Sequence, residues 1–423
     1  LAAIHVEKNM KHTSRRELLK VGLSSAAVVS LSGTLPAFMS QFAFGAPATN
    51  PSVSNDNILV VVQLSGGNDG LNTVIPYTSD TYHKARKNIG IKDRFHKLDD
   101  NLALNPGMGA FKKMFDDGKL AVINGCGYPQ PSRSHFRSME VWQTANPAES
   151  EAVGWLGHYL DHAIRGTSVD NPLRAVNIGS ELPQALVAEG PPVPSIGSIE
   201  DFRIRYDAGS EYDPKTADKI LRDLNAIHQK SPALQFLSRQ ATNAIVAADQ
   251  MRTLKGYKTD ANYPYNSLGP QLRIIAQLIA GNFGTKLFYC ETGGFDTHAN
   301  QVNGHEQTLA GVANSINAFL TDLTVKGVAN KVTVMCFSEF GRRVQENDSN
   351  GTDHGAAGPM FLAGGKVKGG LFGSYPSLTD LDSGDLKYTT DFRRVYATLL
   401  DKWLNVNSAD VLKNKFEAMD LIS

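Results

Sequence analysis

Four glycine-punctuated polar segments of this chain gather carboxylates and imidazoles: "GGNDG" with Asp69, "GGFDTH" with Asp296 and His298, "SEFGRR" with Glu339, and "TDHG" with Asp353 and His354. Carboxylate oxygen and imidazole nitrogen are the donors a borderline divalent ion takes. Asp69, Asp296, Glu339, His298 and His354 would suffice for one or two ions, with Asp353 alongside. The neighbouring glycines let backbone approach without side-chain obstruction. Asp296 and His298, two apart, would share a face on a strand and could converge on one ion from a loop. Taken singly, each segment has a bland explanation: an Asp among glycines is a turn former, and "DHG" a solvated cap. Recurrence at the ends of successive apolar runs favours a shared site.

Those runs set the architecture. "ILVVV" (Ile58 to Val62) does not alternate and so reads as a strand covered on both faces. "LAVINGCG" (Leu120 to Gly127), "LRAVNIG" around Val176, "TKLFYCETGG" and "KVTVMCFSEFG" (Lys331 to Gly341) are the further strands. Helical patterns lie between them: a helix carrying Met139 and Trp142 that Ser132 or Ser134 caps, "GWLGHYLDHAI", "LGPQLRIIAQLIAGN", "LAGVANSINAFLTDLTVKG" and "TDFRRVYATLLDKWL". Strands separated by helices of this length predict a three-layer α/β/α sandwich with a mainly parallel sheet. Such sheets collect ligands at the carboxyl ends of their strands, where the polar segments fall, including "PSRSH" (Ser132 to His135) after the second strand. A helix-rich excursion is expected at about 190–256 of a single domain spanning 55–423.

Composition narrows the function. With 42 basic and 42 acidic residues the formal charge is zero, and no basic stripe supplies a nucleic-acid footprint. A small-molecule or polymeric substrate stays open. The three cysteines, Cys126, Cys290 and Cys336, close apolar runs without CxxC spacing and read as buried hydrophobes. Trp142, Trp155 and Trp403 lie in amphipathic patterns and read as core, His158 and His162 as surface residues, and Asp391 or Thr390 as a helix cap. At the start, "HTSRRELLK" precedes a weakly apolar run rich in Gly, Ser and Ala, which reads as a signal segment over 1–48 cleaved within "FGAPATN". Arg15 and Arg16 resemble a twin-arginine signal, which implies the twin-arginine export machinery and a periplasmic or secreted protein. The opening Leu1 is what an incomplete or alternative start would give. No other stretch would leave a stable membrane span after cleavage.

The blocks "VVVQLSGGNDGLNTVIPY", "RSHFRSMEVWQT", "GGFDTHANQ", "CFSEFGRR", "DHGAAGPMFLAGG" and "TTDFRRVYATLLDKWL" resemble, in order and across nearly the whole mature chain, the signatures of the bacterial domain-of-unknown-function family 1501 (DUF1501). That family is grouped with the alkaline phosphatase and sulfatase superfamily. The resemblance implies an alkaline phosphatase-like fold with one or two ions of zinc, manganese or magnesium. By the same likeness Asp69, Asp296 and His354 match metal-binding positions, Glu339 stands where relatives carry Asp, and Ser134 or Ser132 occupies the nucleophile's place. Arg133 or Arg342 would bind ester oxygens. The cysteine that sulfatases convert to an aldehyde is missing; Pro129 stands at the matching distance before Pro131. The function expected is metal-dependent hydrolysis of a phosphate or related charged ester. The alternative is a noncatalytic, metal-stabilised periplasmic binding or envelope-associated protein.

Overall fold

The computed structural model describes residues 56–164, 171–190, 192–198, 232–252, 254 and 256–423, with residues 216, 219–220 and 222–223. The signal segment expected at 1–48 lies outside the described residues, as does much of the excursion expected at about 190–256. The chain separates into two compact units. One comprises residues 1–46 and 197–253, and its main described element is the helix Pro232–Arg252. The other, residues 47–196 and 254–423, holds every described strand.

In that second unit one sheet contains β1 (Ile58–Leu64), β2 (Leu120–Gly127), β3 (Ala175–Ile178), β4 (Ser195–Ile196), β5 (Leu287–Thr292), β6 (Val332–Phe337), β7 (Gly358–Gly364), β8 (Gly370–Phe372) and β9 (Thr390–Asp391). Its order is β8-β2-β7-β6-β1-β5-β3-β4, with β9 also paired to β2. Every pairing is parallel except those of β7, which runs antiparallel to both β2 and β6. The expected sheet is therefore present, with β7 as an unexpected antiparallel insertion. Its sequence, "GPMFLAG", begins with Gly-Pro and follows a polar loop, so it carries loop punctuation around a short apolar centre.

Helices α1 (Gly109–Asp116), α2 (His135–Thr144), α3 (Trp155–Ile164), α4 (Leu268–Ala280), α5 (Gln301–Val325) and α6 (Phe392–Thr398) cover the sheet. The alternation of β-strand side chains gives each layer half of β1. Leu59 and Val61 pack with Trp142, Trp155, Tyr396 and Trp403 in one cluster, while Val60 and Val62 are buried from the other side. In the opposite layer Phe111 of α1 meets Phe361 of β7 at a ring separation of 5.3 Å. The buried positions of α5, among them Leu309, Val312, Ile316, Phe319 and Leu323, recur every three or four residues, as an amphipathic helix requires. Asp391 caps α6 by accepting from the Arg393 N–H at 3.0 Å.

All three tryptophans are core residues: Trp142 stacks on Phe392 at 4.1 Å, Trp155 on Tyr396 at 4.1 Å, and Trp403 Nε1 donates to Ile58 O at 3.0 Å. The cysteines are buried and free, and burial raises each thiol above its ordinary pKa. Trp403→Ala should cost about 3–5 kcal/mol, the range for emptying a large aromatic site. Chemical denaturation should show that loss as a lowered midpoint.

Candidate metal centre

Because β1, β2, β5 and β6 run the same way, the loops that follow them emerge at one edge of the sheet. The loop after β1 lies directly on the loop after β5. Ser65 N donates to Thr292 O at 2.9 Å, and Phe295 N to Ser65 O at 3.3 Å. Contact is so close that a Cβ on Gly66 would sit 2.4 Å from Asp296 N, and Gly66 has φ +121°. Only glycine meets both demands. The loop after β6 folds back by a backbone bridge between Arg342 and His354, with Gly341 N donating to Ala356 O at 2.8 Å. Residues from four distant stretches are thereby brought to one place.

His135, Asp296 and His354 offer ligand atoms that all lie within 4.8 Å of one another. Asp296 Oδ1 is 3.2 Å from His354 Nε2 and 3.0 Å from His298 Nε2; its Oδ2 is 3.6 Å from His135 Nε2. Each ring is held from behind through Nδ1. The partner is Glu339 Oε1 at 2.8 Å for His135, Arg133 O at 2.8 Å for His354, and Asp353 Oδ1 at 3.5 Å for His298. A carboxylate or carbonyl behind an imidazole fixes the tautomer with hydrogen on Nδ1, leaving the Nε2 lone pair as a donor to metal. His298 and His354 then face each other Nε2 to Nε2 at 2.9 Å, beside a carboxylate oxygen. Lone pairs that close repel unless a proton or cation stands among them. Imidazole and carboxylate are also the donor set that zinc takes, so these residues fit such an ion.

Arg342 builds the frame. Its buried guanidinium donates from Nε to Gly67 O at 2.7 Å, from Nη1 to Thr352 O at 2.9 Å, and from Nη2 to Phe295 O at 3.1 Å, to Asp296 Oδ1 at 2.6 Å and to Gly66 O. Expected as a substrate-binding group, Arg342 has its donors spent on protein acceptors. Burial would raise the Asp296 carboxyl, but the hydrogen bond and positive charge of Arg342 outweigh it and the pKa is held at about 2. The group is a carboxylate at any ordinary pH.

Other expected residues fall around this cluster rather than in it. Glu339 is buried and turned to the back of His135, while its Oε1 also accepts the Gly66 N–H at 2.8 Å. Asp69, expected as a ligand at the end of β1, is fully buried and committed elsewhere. Its Oδ1 accepts from Leu71 N at 3.2 Å, and its Oδ2 pairs with Arg86 Nη1 at 2.5 Å and accepts from Gln301. Burial pushes this carboxyl upward, but the Arg86 charge and hydrogen bond dominate and lower it. Arg86 is itself anchored to Val344 O and Arg343 O. A resident guanidinium thus supplies the positive charge that an ion would have brought. His305 lies on α5 against Asn68, 2.9 Å from its Oδ1, and burial lowers it to about 4.

Ser134 occupies the N-cap position of α2 without a capping bond from its side chain, and Ser132 Oγ accepts the Ser134 N–H at 3.2 Å. Arg133 reaches Asp385 at 2.7 Å. The residue overlooked as a ligand is His135. Its signal was present: "PSRSH" ends on an imidazole at the first position of the helix after β2, where serines drew attention instead.

Fold and site together define a three-layer α/β/α protein with an imidazole–carboxylate cluster at the carboxyl edge of its sheet. Residues 56–415 match the family described as "Protein of unknown function (DUF1501)", and the chain belongs to that family. No curated protein matches it. Similar solved structures include PsFucS1 sulfatase from Pseudoalteromonas sp., 12% identical with a TM-score of 0.38, over 96% of this chain and 75% of that one. Another is the C-terminal periplasmic domain of EcEptC from Escherichia coli in complex with Zn, 10% identical with a TM-score of 0.33, over 74% of each chain. A third is a protein in the alkaline phosphatase superfamily from Vibrio parahaemolyticus, 8% identical with a TM-score of 0.32, over 85% and 71%. These overlaps are too loose to carry an argument about ligand or reaction.

Glu339→Gln should weaken zinc binding about 10–100-fold, the usual effect of losing the group behind a metal-binding imidazole. Asp69→Asn should leave zinc affinity unchanged yet cost about 3–5 kcal/mol of stability by stranding the buried Arg86 charge. Zinc titration and denaturant unfolding of both variants separate the two roles. The Asp69 carboxyl is lower in the folded than in the unfolded chain. Its contribution is therefore full above the unfolded carboxylate pKa and is lost as pH falls through the folded value. Asp69→Asn should flatten that acid dependence.

Proposed function

We propose that this chain is a divalent-metal-dependent hydrolase of phosphate or related charged esters, working in the periplasm or outside the cell after twin-arginine export. The observation that supports it is the convergence on Asp296 of three Nε2 atoms, each ring anchored through Nδ1. Among the described residues no helix is long and apolar enough to cross a membrane. His135, Asp296 and His354 would hold the ion with His298 beside them. Imidazole-rich sets favour zinc or manganese, whereas magnesium prefers oxygen and keeps its water. When bound, such an ion supplies Lewis-acid polarisation of an ester oxygen.

Ser134 is the proposed nucleophile, one residue before His135 and with its hydroxyl free of a capping bond. Ser134 Oγ would attack the phosphorus, the alcohol would leave carrying a proton, and water would cleave the serine ester to restore the hydroxyl. The first-turn N–H groups of α2 lack carbonyl partners within the helix and suit the ester's negative oxygens. Arg342 takes no part in binding in this reading; it keeps Asp296 ionised and in place.

Assay of purified protein against aryl phosphates and aryl sulfates, with zinc, manganese or magnesium added, tests the reading. Turnover should fall roughly a thousandfold or more in Ser134→Ala, the scale of losing a covalent nucleophile. Metal retained with no turnover of either ester would instead indicate a metal-stabilised binding protein. Wild-type protein that takes up no metal would overturn both.

A further inference from the structure

We propose that Arg133 and Arg343 form a second anion subsite beside the metal centre. It would take a tetrahedral oxyanion, phosphate or sulfate, that the substrate carries apart from the group being cleaved. The word substrate rests on the hydrolase reading; the anion site itself does not.

Both guanidinium groups lean on one carboxylate. Arg133 Nε lies 2.7 Å from Asp385 Oδ2, and Arg343 Nε lies 3.6 Å from Asp385 Oδ1. The Asp385 side chain is only 8% exposed, whereas those of Arg133 and Arg343 are 40% and 35% exposed. Two guanidinium groups share the single Asp385 carboxylate, and the Asp353 carboxylate, which the Arg343 charge helps to lower, is the other acid close to them. The forks are also far from saturated. Arg133 uses Nε on Asp385 and Nη2 on Ser383 O at 3.4 Å, and its Nη1 has no partner among the described residues. Arg343 makes no side-chain hydrogen bond among the described residues, and Asp385 Oδ1 accepts none. An arginine presents five N–H donors in a planar fork that matches phosphate or sulfate oxygens. Here two such forks are pre-aimed by a buried carboxylate, which lowers the ordering cost of binding.

The stems are rooted in the metal centre. Arg133 O is the group behind His354, while Arg343 N donates to Asp353 O at 3.1 Å and Arg343 O accepts from Arg86 Nη2 at 2.8 Å. Neither guanidinium contacts Asp296 or the three imidazoles, so the subsite lies beside the cluster. The acids nearby are engaged: Asp353 with Asn347 and His298, and Asp380 with Lys387. Arg342 and Arg343 are adjacent yet opposite in use. One is enclosed and spent on backbone carbonyls; the other reaches outward with its donors open.

Calorimetric titration of the full chain with sodium sulfate and with sodium phosphate tests this, in wild type, Arg343→Gln, Arg343→Lys and His135→Ala. Saturable binding should weaken about tenfold or more in Arg343→Gln, the scale of losing charge-assisted hydrogen bonds. Arg343→Lys should fall between, and His135→Ala should keep its anion affinity while losing zinc. An unchanged affinity in Arg343→Gln, or an equal loss in His135→Ala, would overturn the subsite. With turnover in hand, an aryl ester bearing a second phosphate should show a lower KM than the mono-phosphate, and Arg343→Gln should erase that advantage with kcat unchanged. No KM advantage in wild type would overturn the assignment to a substrate group. Zinc content of the same preparations reports separately on the hydrolase reading, since its absence would sink that reading and leave the sulfate result standing.

Discussion

One guanidinium, that of Arg342, joins the loops that make this site. Gly66, Gly67, Phe295 and Thr352 belong to three stretches far apart in sequence, and all turn carbonyls toward it. Without the arginine those carbonyls would face one another around a buried space, each needing a donor. With it they are satisfied together, and Asp296 is drawn in as the negative partner. The loop after β5 cannot shift without breaking bonds to the loops after β1 and β6. Placement of Asp296 therefore follows from hydrogen-bond satisfaction in the frame before any ligand is considered.

The cluster then depends on which groups stand behind the rings. His135 opens α2 while His298 and His354 lie on two separate loops, yet each is oriented by an oxygen on Nδ1. Comparison of Asp69 with Asp296 shows how far surroundings decide a role. Both follow buried parallel strands and both contact an arginine. Asp69 is sealed with Arg86 and has no exposed surface, whereas Asp296 keeps half of its side chain open and faces imidazole nitrogens. The first is a structural ion pair and the second an available donor.

Much of the fold was legible because the strands β1, β2, β5 and β6 are continuous apolar runs and the helices between them show clear faces. β7 was hidden by its glycine and proline, and β8 and β9 by their shortness. Within the site, residue types were readable but contacts were not. The sequence marks Asp296, His298, Glu339 and His354 by their glycine-rich settings, and these do gather. Nothing local distinguishes Asp69, because its partner Arg86 lies in an unremarkable stretch, "HKARKNIG", and pairs only through the turn of the chain. Whether an arginine is a clamp or a reaching side chain is likewise set by enclosure, which adjacent residues such as Arg342 and Arg343 need not share.

The ion pair of Asp69 with Arg86 bears on the order of assembly. Small zinc domains are held together by their ion and collapse when it is chelated. Here the carboxylate beneath β1 is already neutralised by a residue of the same chain, and the surrounding loops are pinned by Arg342. The frame around Asp296 is thus held by the chain's own ion pair and carbonyl bonds, independently of any ion that the cluster would take.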